Sequence, residues 1–308
     1  MGNENMITTV GSIALDTTKT KAATAAEIPG GSAVHFALAA SLLEKPSIVS
    51  CVGADFPKAF LDKMSKRGID ISNIGISKDE RTFRFHSTFS EDFQDRSSDL
   101  TQLNVFEKFE PKLTPTQKKA EVAFIGTLSP RIQLSVIDQM EKPKLIAMDT
   151  IEFFIKSDRT GVLDVLSQVD CAIFNESEAR MLCGKTNLVA CGKEVLKMGP
   201  TMCIIKKGEH GSILFYEDST PHPFPGFPLE HIVDPTGAGD AFAGGFLGYL
   251  ASCGCSRKRQ DLSRAVAWGT VMGSIAVEAF GADSLLKADK KTAQARYDIY
   301  RSLMHYEE

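Results

Sequence analysis

Long apolar segments, an excess of one charge and paired cysteines are all scarce in this chain. No apolar run in its 308 residues approaches the length of a membrane-spanning helix. Lys and Arg number 35 against 39 Asp and Glu, a net charge of −4, which argues against nucleic acid or an anionic membrane as a partner. The polar and acidic residues 1–6 do not resemble a signal peptide, so we expect a cytoplasmic protein.

The seven cysteines are scattered and show no pattern of metal ligands or disulfides, which is typical of a reducing compartment. Cys253-Gly254-Cys255 has no second Cys or His pair at zinc-like spacing, which argues against a structural metal site. Gly184-Lys185-Thr186 ends like a P-loop, but Ala179 stands where the first Gly of that motif is required. A P-loop is therefore excluded.

The composition that remains is that of an ordinary globular protein, with 43% hydrophobic and 24% charged residues. Short apolar runs alternate with helix-compatible segments, which predicts a mostly parallel sheet with helices on both faces. The first strand is predicted over residues 6–15. Residues 17–28 and 81–105 interrupt the alternation, and we expect them to form a small β-sheet lid within a single domain of residues 1–308.

A glycine-rich turn from Asp234 to Asp240 leads directly into an apolar, helix-compatible segment. Small residues let the backbone approach a ligand closely, and the first amides of a helix bind anions. Asp240 would repel a bound phosphate unless it had a chemical role. The natural role is to accept a proton from a hydroxyl that attacks phosphorus. The alternative is a turn that only caps a buried helix.

Polar residues also follow several predicted strands, at the edge where open α/β sheets present their ligand crevice. Asp16, Asp149 and Asn175 occupy such positions, although Asp16 is equally compatible with a surface turn. Asn175 and Glu178 lie three residues apart, so they would share one helix face. They either orient phosphates and hold the water shell of Mg2+, or form a helix cap, and the two functions are compatible.

A second glycine pair, Gly30 and Gly31, precedes a helix of small residues and predicts another close approach of the backbone. His35 lies inside this helix, where a packed core residue is a simpler interpretation than a catalyst. The predicted lid contains a group of phenylalanines, namely Phe83, Phe85, Phe89 and Phe93. These side chains either cover a ligand or pack the lid against the body.

Taken together, these motifs resemble the ribokinase/PfkB family of carbohydrate and nucleoside kinases. The turn from Asp234 to Asp240 matches the C-terminal signature of the family. Four further motifs occur in the family's order: Gly30-Gly31, Gly53 with Asp55, Asn175 with Glu178, and Gly208 with Gly211. The resemblance covers nearly the whole chain and implies a three-layer α/β/α fold with a small β-sheet lid. It also implies transfer of the γ-phosphoryl group of ATP to a hydroxymethyl group.

The resemblance further implies a role for each motif. Asp240 is expected to be the catalytic base, and the amides of Gly237, Ala238 and Gly239 are expected to form the anion hole. Asn175 and Glu178 are expected in the region that binds phosphate and Mg2+, with Glu178 holding the metal through water. The nucleotide is expected near Lys207, Gly208, Gly211, Thr236 and Gly281. The acceptor is expected near Asp16, Gly31 and His35, to which we add Gly30, Phe85 and Asp149 as candidate contacts.

Two positions modify this expectation. Asp234 and the carbonyl of Thr236 match ligands of a monovalent cation site in many members, so K+ is a candidate cofactor besides ATP and Mg2+. His35 stands where sugar kinases of the family often have Asn, and an imidazole cannot reproduce the paired donor and acceptor of an amide. This departure weakens the case for an ordinary ribose or fructose acceptor.

We therefore expect a carbohydrate kinase, with a nucleoside kinase acting on the ribose 5′-hydroxyl as the alternative. Aromatic side chains of the lid can stack on a base or on a sugar ring, so they do not decide between the two. A catalytically silent ligand sensor is a third alternative, but such a protein should have lost the base or the anion-hole glycines. The acceptor is a small molecule in each case, and the sequence leaves open whether the protein is a monomer or a homodimer.

Overall fold

The computed structural model describes residues 7–21, 23–91, 93, 96–217 and 220–304. Within these residues the strands are β1 (Ile7–Val10), β2 (Ala14–Lys19), β3 (Thr24–Gly30), β4 (Pro46–Gly53), β5 (Asp70–Ser77), β6 (Phe83–Phe89), β7 (Arg96–Gln102), β8 (Val122–Ile125), β9 (Leu145–Met148), β10 (Cys171–Asn175), β11 (Met202–Lys206), β12 (Ser212–Tyr216) and β13 (His222–Phe224). The α-helices are α1 (Ser32–Ala40), α2 (Lys58–Lys66), α3 (Pro115–Lys118), α4 (Pro130–Ile137), α5 (Glu152–Ser157), α6 (Arg159–Leu166), α7 (Glu176–Cys183), α8 (Leu188–Lys197), α9 (Ala238–Ser252), α10 (Arg259–Ala276), α11 (Asp283–Lys287) and α12 (Lys290–Met304).

The central sheet contains nine strands in the order β13-β12-β11-β10-β9-β8-β1-β4-β5. The neighbouring pairs from β11 to β5 are parallel, whereas β12 and β13 form an antiparallel edge. Parallel neighbours need long crossover connections, which the helices supply here. The predicted mostly parallel sheet is confirmed.

Helices cover both faces of this sheet. Successive residues of a strand point to opposite faces, so each buried strand contributes side chains to the cores on both sides. In β10, Cys171 and Ile173 belong to the core on the side of α1, α9 and α10. Ala172 and Phe174 belong to the core on the side of α4, α6, α7 and α8. The three-layer α/β/α arrangement is therefore confirmed. Among the described residues, none of the helices combines the length and the apolar character needed to cross a bilayer.

A second, smaller sheet has the strand order β3-β2-β6-β7. Its outer pairs are antiparallel, and the central pair of β2 and β6 is parallel. These strands come from the two parts of the chain where the sequence breaks the strand–helix alternation. Thr18 Oγ1 of β2 lies 3.4 Å from Thr236 Oγ1, so the small sheet touches the glycine-rich turn.

The extent predicted for the first strand, residues 6–15, is wrong, and residue 6 lies outside the described residues. The strand of the central sheet ends at Val10, and a strand of the small sheet begins at Ala14. Between them Gly11 packs so closely that a β-carbon there would lie 2.6 Å from Ser32 Oγ. Asp16 therefore lies inside β2 of the small sheet and not at the end of a central strand.

Candidate active site

The glycine-rich turn leads into α9, and Gly237 is the N-cap residue of this helix. Its φ is 77°, a left-handed conformation that strains any residue with a β-carbon. A β-carbon at this position would also lie 2.3 Å from the imidazole of His35. The amide of Ala238 donates to the carbonyl of Pro235 at 3.2 Å and closes the turn. Two independent constraints therefore require glycine where α9 begins.

Asp240 is the third residue of α9 and is partly buried. A carboxylate in the first turn of a helix is stabilised by the helix dipole. The same position keeps Asp240 within one helical turn of the amides of residues 237–239. Its charge also acts on Lys206 and on Asp16, so Asp240 is near a cation at the end of β11 and a carboxyl group in β2.

Lys206, the last residue of β11, is a site residue that the sequence analysis missed. Its Nζ lies 3.1 Å from Asp149 Oδ2, and only 16% of its side chain is exposed. A β-carbon on Gly239 would lie 2.7 Å from the same Nζ, so the ammonium group is next to the first turn of α9. Met202 and Ile204 share the face of Lys206 and enter the core beside α9, but residues 202–205 are all apolar and buried, so the sequence pattern does not mark this face.

Carboxylates from three different elements act on the Lys206 ammonium: Asp149 after β9, Glu178 in α7 and Asp240 in α9. Burial alone would lower the pKa of Lys206, but these three carboxylates outweigh burial and raise it. Lys206 is therefore a cation at neutral pH.

The described residues contain no group of three His, Cys, Asp or Glu side chains that could hold a metal ion without other ligands.

Asp149 is fixed in place by its surroundings and is only 6% exposed. The amide of Thr150 donates to its Oδ1 at 2.7 Å, while Oδ2 meets Lys206. Gln133 Nε2 donates to the main-chain carbonyl of Asp149 at 2.9 Å and to that of Gly126 at 3.0 Å. Both the backbone and the carboxylate of Asp149 are thus held in position.

Asn175 and Glu178 form the helix cap that the sequence offered as one alternative. Asn175 Oδ1 accepts the amide of Glu178 at 2.8 Å, and Glu178 Oε2 accepts the amide of Asn175 at 2.8 Å. This reciprocal capping box satisfies two helix-end amides at the start of α7. It also holds the Glu178 carboxylate at the carboxyl end of β10, where its charge acts on Lys206 at the end of β11. Its use toward Mg2+ stays a prediction.

Asp16 is a buried carboxyl group on β2, 4% exposed. A β-carbon on Gly30 would lie 2.2 Å from Asp16 Oδ2, so the adjoining strand leaves room for this side chain only because residue 30 is glycine. Burial raises the pKa of Asp16 to about 7. The nearby carboxylates Asp234 and Asp240 add to the rise, while His35 and the amide of Gly31 oppose it. Asp16 therefore changes charge near neutral pH.

His35 is fully buried in α1, as the packed-core interpretation predicts. Its Nδ1 lies 2.9 Å from the carbonyl of Gly31, and because a carbonyl only accepts, Nδ1 carries the proton. Within the described part of the chain, Nε2 is buried without a hydrogen-bond partner, and the imidazole ring packs against Gly237. His35 therefore supports the glycine-rich turn at Gly237, and its Nε2 remains available for a hydrogen bond.

Of the phenylalanines in the predicted lid, Phe83 packs the small sheet against the body, and a ligand contact of Phe85 stays a prediction. Phe83 packs against Phe106 of the body, with ring centroids 5.9 Å apart. Phe89 packs against Phe93, with centroids 6.2 Å apart. Phe85 is in register with Asp16 in the parallel pair of β6 and β2, so the two side chains share one face of the sheet.

Lys207, Gly208 and Gly211 form a tight turn between β11 and β12. The amide of Lys207 donates to the carbonyl of Gly211 at 2.7 Å, and a 3₁₀ turn spans Gly208–His210. The turn follows Lys206 directly and so lies at the same edge of the central sheet. Its contact with a nucleotide stays a prediction.

Asp234 joins the glycine-rich turn to the segment before α11. It is fully buried, its Oδ1 accepts the amide of Thr236 at 2.9 Å, and its Oδ2 accepts the amide of Gly281 at 3.1 Å. Asp234, one of the two predicted K+ ligands, is thus fixed between the glycine-rich turn and Gly281. A carboxylate has about four lone-pair positions, so these two hydrogen bonds leave it able to bind a cation.

The chain matches the pfkB family of carbohydrate kinases over residues 5–289. It belongs to this family. Among curated proteins, it is 31% identical over 278 residues to a cytidine kinase from Thermococcus kodakarensis, and this match covers 84% of the chain and 96% of that protein. The family and this relative show that the chain is a kinase.

Solved structures agree with the fold. A nucleoside kinase from Burkholderia thailandensis, in complex with inosine, superposes with a TM-score of 0.78 at 18% identity, and the match covers 96% of this chain and 99% of that chain. A protein from E. coli assigned as a ribokinase, in complex with ATP and Mg2+, has a TM-score of 0.78 at 19% identity over 96% of this chain and 99% of its own. At these identities the likeness shows the ribokinase-like fold alone.

Proposed function

We propose that this PfkB-family kinase transfers the γ-phosphoryl group of ATP to the 5′-hydroxyl of a nucleoside. The observation that carries the proposal is the placement of Asp240 within one helical turn of the glycine amides at the start of α9. This arrangement unites a proton acceptor with an anion-binding helix end, which are the two parts that phosphoryl transfer requires.

In the proposed reaction, the oxygen of the 5′-hydroxyl forms a bond to the γ-phosphorus, and the bond from that phosphorus to the bridging oxygen of ATP breaks, which releases ADP. Asp240 accepts the proton of the hydroxyl. The amides of Gly237, Ala238 and Gly239 stabilise the negative charge on the phosphoryl oxygens. Because the turn is held by Asp234 and by His35, these amides need no large rearrangement when the charge develops.

The acceptor is proposed to bind between the small sheet and α1. Ionised Asp16 would accept hydrogen bonds from ribose hydroxyls, and Phe85, on the same face of the small sheet, would offer a ring surface to the nucleoside. Buried His35 Nε2 would face the same ligand, at a position where an amide is usual in sugar kinases. The identity to a cytidine kinase supports a nucleoside over a simple sugar, which reverses the order suggested by the sequence.

Two cations fit the residues present. Mg2+ would be held by the nucleotide's phosphate oxygens and by Glu178 through water, in keeping with its usual binding by one or two carboxylates and several waters. When bound it would neutralise charge on the β- and γ-phosphates. K+ would be held by Asp234 and the carbonyl of Thr236, a residue whose amide already donates to Asp234 Oδ1 at 2.9 Å.

The test is an ADP-release assay with ATP, Mg2+ and a panel of cytidine, uridine, adenosine, inosine, ribose and fructose. We expect kcat/KM for at least one ribonucleoside to exceed that for either free sugar by about 10²-fold or more, because a base adds binding energy that a sugar lacks. Phosphorus NMR of the product should show a 5′-monophosphate.

Turnover that is faster with ribose or fructose than with every nucleoside would instead identify a sugar kinase. Binding of ATP without turnover on any acceptor would identify a silent sensor. Assays with and without K+ at constant ionic strength, with Na+ as the matched cation, test the cation site in the same experiment.

A further inference from the structure

A largely buried lysine beside the proposed anion hole needs an explanation that packing does not provide. Lysine is almost never buried in this way unless it is paired, and a buried ion pair is weak evidence for a contribution to stability. Lys206 is 16% exposed and forms one ion pair, with Asp149 at 3.1 Å. Its ammonium group has three donors, so this pair leaves room for further acceptors.

The position of Gly239 shows where the Lys206 ammonium group lies relative to α9. The Nζ of Lys206 is so close to this residue that a β-carbon there would lie 2.7 Å from it. Gly239 is the second residue of α9 and provides one of the anion-hole amides. An anion bound by the start of α9 would therefore meet the ammonium group and the amides together.

We propose that Lys206 is a catalytic residue that contacts the transferred phosphoryl group, and that Asp149 is its positioning residue. The inference rests on the proposed phosphoryl transfer and adds a cation to it. Asp149 is suited to this part because its Oδ1 is tied to the amide of Thr150 and its carbonyl to Gln133, which leaves Oδ2 fixed against Nζ. This replaces the acceptor contact that the sequence suggested for Asp149.

In this step the acceptor oxygen forms a bond to the γ-phosphorus, and the bond from that phosphorus to the bridging oxygen of ATP breaks. The electron pair of the broken bond stays on ADP, and the hydroxyl proton goes to Asp240. Lys206 neither gains nor loses a proton, because its three carboxylate neighbours keep it charged. Its fixed positive charge offsets the negative charge that spreads over the phosphoryl oxygens.

The main variants are Lys206→Met, which removes the charge at similar length, and Lys206→Arg, which keeps it. We expect Lys206→Met to lower kcat by about 10²–10³-fold, the usual effect of one lost electrostatic group, with the acceptor KM changed less than about threefold. Lys206→Arg should recover at least about tenfold of that loss, because it restores the positive charge. The recovery should be incomplete, because a guanidinium group lacks the compact shape of the ammonium group. The matched control is Lys144→Met, since Lys144 pairs with Glu121 at 2.7 Å beyond the opposite end of β9.

A double variant separates catalysis from folding. Lys206→Met alone leaves buried Asp149 unpaired and should lower the melting temperature. Adding Asp149→Asn removes the unpaired charge, so the melting temperature should return toward that of the wild type while kcat stays as low as in Lys206→Met. Asp149→Asn alone should lower kcat with little change in KM, and the two losses should not multiply, because both act through one ammonium group.

Recovery of kcat together with the melting temperature in the double variant would show a structural ion pair and overturn the inference. A Lys206→Met enzyme with wild-type kcat and only a raised KM for ATP would also overturn it, since uniform binding is not catalysis. Multiplying losses in the double variant would overturn the positioning role of Asp149. If the wild-type enzyme shows no phosphoryl transfer to any acceptor, the proposed function fails instead, and the two failures remain distinguishable.

Discussion

Gly237 packs directly against the imidazole of His35, so the residue that begins α9 and the buried histidine of α1 support each other. A β-carbon at position 237 would lie 2.3 Å from the ring, and the residue also has a φ of 77°. The shape of the glycine-rich turn, the proposed anion hole, therefore depends on a residue more than two hundred positions earlier in the chain. Substitutions at either position test whether this contact sets the geometry of the site.

Gly237→Ala should both destabilise the fold and lower activity. The left-handed conformation costs about 1–2 kcal/mol for a residue with a β-carbon, and overpacking against His35 costs about 1–3 kcal/mol more. Because the turn must shift to relieve the contact, kcat should fall by at least about tenfold. Urea unfolding and steady-state kinetics measure the two effects.

Gly254→Ala is the matched control for this substitution. Gly254 has a φ of 70°, but a β-carbon there would have no neighbouring atom within 4 Å, so the position carries the backbone strain without the collision. The variant should lose about 1–2 kcal/mol and keep its activity. Equal losses of stability in the two variants, with full activity in both, would contradict the proposed support of the turn by His35.

Asp240→Asn should keep the fold and lower kcat by about 10²–10⁴-fold, the usual contribution of a general base. The amide preserves shape and polarity but cannot accept the proton of the attacking hydroxyl. Asp261→Asn is the control, because Asp261 is likewise an acidic residue in the first turn of a long helix, α10. An Asp240→Asn enzyme with near-wild-type turnover would exclude Asp240 as the base.

The order of strands and helices could be predicted from the sequence because it depends on local pattern. The turn at Asp234–Asp240 could be predicted for the same reason, since consecutive residues carry all of its chemistry. Lys206 could not be distinguished from Lys207 in this way. The two are neighbours at the end of one strand, and only the side of the sheet on which α9 packs decides which of them reaches the site.

Asp16 and His35 show a second reason why part of the site could not be predicted from the sequence. The change from the central to the small sheet after Val10 occurs at Gly11-Ser12-Ile13, and more apolar residues follow at once, so the two strands were predicted as one. The buried environment of Asp16 arises from Gly30 and His35, which lie on other elements. Contacts between elements of this kind are set by the tertiary fold, whereas the sequence pattern records only which residues are buried.

The pH dependence of stability should reveal the buried carboxyl of Asp16. Its pKa is raised from the ordinary 3.8 to about 7, so the folded state holds a proton that the unfolded state has already lost. Protonation therefore favours the fold below pH 4, and this stability is lost as the pH rises from 4 to 7. A pKa difference of this size between the folded and unfolded states corresponds to about 4 kcal/mol at most.

Asp16→Asn removes this titration and should be more stable than the wild type at pH 8 but not at pH 4. Thermal unfolding of both proteins across this range measures the difference. A gap in melting temperature that is the same at every pH would contradict a buried carboxyl with a raised pKa. The acceptor KM of the wild type should fall as the pH rises through about 7, because ionised Asp16 is the better acceptor for hydroxyl groups.

Arg84 of the small sheet pairs with one carboxylate of the same sheet and with one carboxylate of the body. It lies on β6 with 8% of its side chain exposed, 2.8 Å from Glu27 of β3 and 3.0 Å from Asp55 after β4. Arg84→Met should lose about 2 kcal/mol, less than the 3–5 kcal/mol of a fully buried pair because both carboxylates are partly solvated. The acceptor KM should rise, since β2 and β6 carry Asp16 and Phe85. Urea unfolding and acceptor titrations measure these changes.

Arg257→Met is the control for Arg84→Met, because Arg257 pairs with Asp170 at 2.8 Å but is 43% exposed. It should lose less than about 1 kcal/mol and leave the acceptor KM unchanged.

The stability in acid provides a second test of Arg84. Burial opposes the ionisation of Asp55, but hydrogen bonds from Thr82 and Arg84 outweigh burial and lower the pKa of Asp55. That contribution is present at neutral pH and is lost on acidification, so Arg84→Met should show a smaller loss of stability in acid than the wild type. Equal acid sensitivity of the two proteins would mean that Arg84 does not hold Asp55 ionised.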